Sequence, residues 1–219
     1  NDQDDRNRAA RFSQSKYSDE LRLLEAFAYK RLGESSKEVA LQKKADEMFK
    51  ELASMRVDGR PLSFHRLIRS YFGQKAIAAQ DWLDAINHLE YVAEATPKSD
   101  PDYPFFRLAL ADIYVKVGQP RRAERIFRYL TENFASHATA KEAQYRIADL
   151  LAVERNYGRV VEEGRKALSR YPKYERTRSE VVFNIGEAYF WLGEYQNAEK
   201  FFQRFAEIGS AQTNAALAW

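Results

Sequence analysis

The chain has no cysteine in its 219 residues, which excludes disulfides, zinc–thiolate sites and thiol nucleophiles and leaves the redox compartment open. Glycine and proline are scarce, at 9 and 6, so collagenous and grossly low-complexity chains are excluded as well. Neither sign of charge dominates: 35 Lys and Arg against 32 Asp and Glu leave a formal +3, far from the concentrated charge that by itself argues for nucleic acid. Charged side chains interrupt every long segment, and nothing approaches the roughly 20 apolar residues of a membrane-spanning helix. The start, Asn1-Asp-Gln-Asp-Asp5, has neither methionine nor a charged end followed by an apolar run, and reads as a processed or excised piece.

Familiar catalytic motifs are missing too. There is no G-x-x-x-x-G-K-[ST], G-x-G-x-x-G or G-x-S-x-G, and so no phosphate cradle or nucleophile elbow. His65, His88 and His137 are far apart with no i, i+4 pair, so no metal site is expected. Glu162-Glu163 is expected to be a solvated pair on a charged helix surface rather than an acid/base couple. These absences point away from an enzyme and from any cofactor.

What is present is 45% apolar residues, enough for one or two globular units, and an internal repeat. From Val182 the chain reads V-x-x-I-G-x-x-Y-x-x-x-G-x-Y-x-x-A-x-x-x-F through Ile185, Gly186, Tyr189, Gly193, Tyr195, Ala198 and Phe202. The same frame finds Leu110, Ala111, Tyr114, Gly118, Ala123 and Phe127, then Ile147, Ala148, Leu151, Tyr157, Ala167 and Pro172, and earlier Phe72, Gly73, Ala76, Trp82, Ala85, Leu89 and Pro97. Frames starting at Arg66, Pro104, Lys141 and Ser179 are 38, 37 and 38 residues apart.

This spacing has a packing logic. One small residue recurs in each first helix (Gly73, Ala111, Ala148, Gly186), and a second, mostly small, in each second helix (Ala85, Ala123, Val160, Ala198), which lets two antiparallel helices approach closely. The third copy has Gly164 at a packing position and Arg155 where its neighbours have the turn residues Gly118 and Gly193, so its second helix is expected to be the least stable.

These residues resemble the tetratricopeptide repeat. The resemblance implies an all-α fold, a right-handed superhelical solenoid of antiparallel helix hairpins, with repeats at 66–103, 104–140, 141–178 and 179–215. Upstream, 18–62 reads as a helical hairpin, a degenerate repeat or cap with Ser18 and Ser36 as candidate N-caps. Residues 1–17 read as a polar lead-in, and 216–219 as the start of a truncated further repeat. The repeats exceed the family's unit of about 34 residues by lengthened links, among them Pro97 to Pro104 and Pro172 to Thr177. Such links resemble those of bacterial cell-envelope members of the family, which implies a periplasmic or envelope-associated protein; a cytoplasmic one is the alternative.

The family likeness implies a non-enzymatic scaffold that grips a partner protein in a concave groove lined by the first helices, or else an architectural spacer or homo-oligomerising element. In that frame the ninth position reads Gln74, Asp112, Asp149 and Glu187, flanked by Leu108, Tyr145 and Phe183 at the fifth and by Phe190 with Trp191 at the end of the last first helix. An acidic row between apolar ladders suits a basic or amphipathic segment of a protein; no nucleic-acid partner is expected. Arg121, Arg125 and Arg128 share one face of a second helix and form a secondary basic surface. The lysines of the family's chaperone-tail clamp are missing, with only Arg146 and Asn184 at matching places.

Overall fold

The computed structural model describes residues 17–57 and 60–217; the expected lead-in, save Tyr17, and the last two residues of the expected further repeat lie outside them. The chain divides into two compact units, one ending at Gln74 and one beginning at Lys75.

In the first unit, α1 (Ser18–Ser36) and α2 (Val39–Ser54) pack against each other. Neither serine acts as the expected cap. Ser18 is already helical behind Tyr17, and Ser36 closes α1, its hydroxyl donating to the Leu32 carbonyl at 2.8 Å. The helix runs through Gly33 because that glycine is a close approach rather than a stop: a Cβ there would lie 2.8 Å from Gln42 Cγ. Lys37, left-handed at φ 58°, ends α1. A minimal antiparallel pair, β1 (Arg56–Val57) with β2 (Arg60–Pro61), leads into α3 (His65–Ala78). Phe49, Leu52 and Ile68 are fully buried at the centre of this unit, with Phe27 meeting Phe49 edge-on at 5.0 Å and Tyr71 tilted against it at 4.7 Å.

The division falls inside α3, within the segment expected to be the first clear repeat. Its cause is the apolar pattern: Ile68, Tyr71 and Phe72 serve the first core, whereas Ile77 packs on the second.

The second unit continues with α4 (Trp82–Ala95), α5 (Tyr103–Lys116), α6 (Pro120–Asn133), α7 (Ala138–Val153), α8 (Tyr157–Arg170), a 3-10 turn at Pro172–Arg176, α9 (Glu180–Trp191) and α10 (Tyr195–Leu217). From α4 onward each helix packs on the next, and α5, α7 and α9 also touch in succession. Phe127, Leu130, Ile147 and Leu151 form one buried cluster, and Val181, Val182 and Ile185 belong to a second. The turn between the helices of each hairpin uses one left-handed residue: Gln80 at φ 59°, Gly118 at 73°, Arg155 at 56° and Gly193 at 79°. Arg155 thus makes the turn its glycine neighbours make, at the steric cost a side chain incurs there.

Gly164 is a point of close approach between α8 and α9, where a Cβ would meet Ile185 Cγ1 at 2.6 Å. At the other end α10 runs unbroken through Ala216 to Leu217, the start of the segment read as a further repeat; no proline interrupts its last two turns.

Candidate interaction surface

The ninth-position acids of α5 and α7, Asp112 and Asp149, are not free negative charges. Arg146 of α7 reaches back to Asp112 of α5 at 3.6 Å and donates to Glu142 on its own helix at 2.8 Å. Arg178, delivered by the link before α9, sits 3.3 Å from Glu142 and 2.5 Å from Asp149. Asn184 of α9 donates to the other oxygen of Asp149 at 3.0 Å, and the Tyr174 hydroxyl donates to Glu142. The result is a ladder, Asp112–Arg146–Glu142–Arg178–Asp149–Asn184, in which Asp112–Arg146 joins α5 to α7 and Asp149–Asn184 joins α7 to α9. Burial pushes the carboxyls of Asp112 and Asp149 above their ordinary value, and the arginines offset this only in part.

The expected groove residues divide accordingly. Gln74 is exposed and belongs to the first unit. Asp112 and Asp149 are engaged in the ladder. Leu108 is half-buried against the core. Tyr145 is a correction: it is 0% exposed, its hydroxyl donates to the Tyr171 carbonyl at 3.0 Å, and its ring meets Tyr174 edge-on at 5.2 Å. It cannot touch a partner, because the 3-10 turn covers it, and burial raises its phenol to about 12. Arg146 and Asn184, the two places matching a carboxylate clamp, are likewise spent on the protein's own acids.

The last first helix differs. Phe183, Phe190 and Trp191 are all exposed, Trp191 at 59%, and Glu187 lies half-exposed between them. Phe183 leans on Phe202 and Phe205 of α10, while Trp191 stacks on Tyr157 at 6.1 Å and meets Phe190 at 5.5 Å. Glu180 is exposed on the same helix. The rings are propped by neighbours yet open to solvent, so they can bury area against a partner at little entropic cost. Phe105 and Val115 of α5 and Val153 of α7 are also exposed.

The basic second-helix surface also needs correction. Arg121 and Arg125 are exposed, but Arg128 donates to Glu124 at 2.9 Å and to Glu163 at 3.0 Å. Glu163 is not the solvated acid expected from sequence: it is 5% exposed and also accepts from Gln144 at 3.0 Å. Burial raises its pKa, but the hydrogen bonds from Arg128 and Gln144 outweigh it and hold the carboxyl below the ordinary value; Glu124, between Arg128 and Arg159, behaves alike. The hint was available in register, since Glu124 and Arg159 are 35 residues apart, close to one repeat.

Residues 76–147 match the family described as tetratricopeptide repeat. Over those residues the chain matches tetratricopeptide repeats. Similar folds are found in BtubC (BKLC) from P. vanneervenii, at 16% identity and a TM-score of 0.63 over 92% of each chain. MamA from Desulfovibrio magneticus RS-1 is also similar, at 14% identity and 0.62 over 86% of this chain and 97% of that one. No curated protein matches. The fold class is therefore all-α, the helical-repeat solenoid class of tetratricopeptide proteins. In general that fold serves as a protein-interaction scaffold and is not itself catalytic. No helix among the described residues is long and apolar enough to cross a membrane.

Proposed function

We propose that the chain is a non-enzymatic scaffold that grips a partner protein on the first-helix face of its second unit, with α9 as the principal contact. The observation that carries this reading is the exposed aromatic group Phe183, Phe190 and Trp191 around Glu187, beside a ladder that spends the acids of α5 and α7 internally. Its partner is an amphipathic segment whose apolar side covers the rings and whose Lys or Arg meets Glu180 and Glu187. The lengthened links support a place in a bacterial envelope-associated assembly. Cross-linking from a photoreactive group at position 187, in cells, tests the reading: it should trap a protein that the Phe190→Ser/Trp191→Ser variant no longer captures. Equal capture by that variant contradicts it.

The ladder also favours a second reading, a rigid architectural spacer, because charge-assisted bonds stiffen each junction. That reading predicts no partner at α9 and self-association or end-to-end assembly instead, which light scattering distinguishes.

A further inference from the structure

The junction of α6, α7 and α8 and the junction of α4, α5 and α6 are the same place one repeat apart, yet they are filled differently. In the later one, the buried Glu163 carboxylate accepts from Arg128 Nη1 and from Gln144 Nε2, each at 3.0 Å. Stepping back one repeat, Arg107 stands where Gln144 stands, Ile126 where Glu163 stands and Glu90 where Arg128 stands. The earlier junction therefore has a guanidinium and lacks the carboxylate that would sit against it.

A cleft of about 280 Å³ opens at that point, with Glu90, Glu94, Arg107, Arg122, Arg125 and Ile126 in its lining. Glu90 does not serve Arg107 as a hydrogen-bond acceptor: its Oε1 takes the Tyr114 hydroxyl and Arg122 Nη2, the latter at 2.6 Å. Arg107 lies instead over the rings of Tyr103 and Tyr129, 5.6 Å from each centroid, and its Nε is buried with no hydrogen-bond partner. Those rings hold the guanidinium in place without satisfying its N–H groups. Arg125 is exposed at the same cleft, and three arginines against two glutamates leave the lining net positive.

We propose that this cleft binds an oxyanion, a carboxylate or phosphate monoester carried by a partner chain, in the place that the Glu163 side chain fills one repeat later. Arg107 gives the planar fork that such groups match, and Arg125 adds charge at the mouth. The site stands apart from the α9 face and does not depend on it.

Thermal denaturation of the full chain with phenyl phosphate, benzoate, or sodium chloride at matched ionic strength tests the proposal. At saturating concentration at least one of the two anions should raise the wild-type Tm by about 2 °C beyond the chloride control. Arg107→Gln, which copies Gln144, should lose that rise. Ile126→Glu, which supplies the missing carboxylate internally, should raise the ligand-free Tm and abolish the response to both anions. A response to phenyl phosphate alone assigns a phosphate, and one to benzoate alone a carboxylate. Shifts no larger than those with chloride overturn the proposal, as does a full response in Ile126→Glu; should Arg107→Gln fail to fold, the Ile126→Glu result decides.

Discussion

α7 and α9 carry the same repeat position on the same kind of helix, and they put it to different use. On α7 the acid is Asp149, bound by Arg178 and Asn184, and its fifth-position neighbour Tyr145 is sealed under Tyr174. On α9 the acid is Glu187, and its neighbours Phe183, Phe190 and Trp191 face water. The lesson is that a repeat position does not have a fixed role. On α7, between α5 and α9, ion pairs consume the polar groups; on α9 the same positions are open to solvent.

The largest test of the α7 half removes its central cation. Arg178→Ala leaves Asp149 and Glu142 without their shared partner in a site where the arginine side chain is only 20% exposed, and should cost about 2–4 kcal/mol in urea denaturation. A cost under about 0.5 kcal/mol would mean that the ladder is decorative.

On the α9 half, Gly186→Leu should cost roughly 1–3 kcal/mol, because even a Cβ there would sit 2.9 Å from two atoms of the Phe202 ring. Calorimetry showing an unchanged Tm would mean that α9 and α10 are not packed as described.

Acid titration compares the ladder with the second-helix pairs, which should respond with opposite sign. Glu124 and Glu163 have lowered folded pKa values, so the stability they contribute is present above 4.5 and is lost as pH falls through their folded values. Asp112 and Asp149 have raised values, so theirs is present below 3.8 and is lost as pH rises through their folded values. Denaturant midpoints from pH 3 to 7 should therefore show Glu163→Gln losing less stability than wild type on acidification. Asp112→Asn should gain on wild type as pH rises. Parallel curves for the two variants would contradict the assignment.

The smallest expected effect is at the α7–α8 turn: Arg155→Gly should stabilise the chain by about 0.5–1 kcal/mol, since glycine takes φ 56° without strain. A loss of stability would show that the arginine side chain has a role of its own.

The helical-repeat class was legible because it rests on volume and spacing. Ala111, Ala148 and Gly186 must be small for helices to cross, and Gly118 and Gly193 must turn left-handed, all of which a single chain displays. The polar half was not legible, because pairing depends on the register between repeats. Asp112 and Asp149 read as a free acidic row until Arg146 and Arg178 are placed beside them, and Arg178 comes from a link with no helical pattern to locate it. Tyr145 failed for a related reason: its fifth-position counterparts Leu108 and Phe183 stay partly open, and only the 3-10 turn at Pro172–Arg176 covers it.

The central claim, that binding capacity lies where the ladder ends, is tested most directly by titrating a helical Leu/Lys amphipathic peptide into three proteins by calorimetry. The account predicts that Glu187→Lys/Phe190→Ser weakens binding relative to wild type by about tenfold or more, while Asp149→Asn, with helicity retained, leaves it within about twofold. Unchanged affinity in the α9 variant together with loss in Asp149→Asn would contradict it.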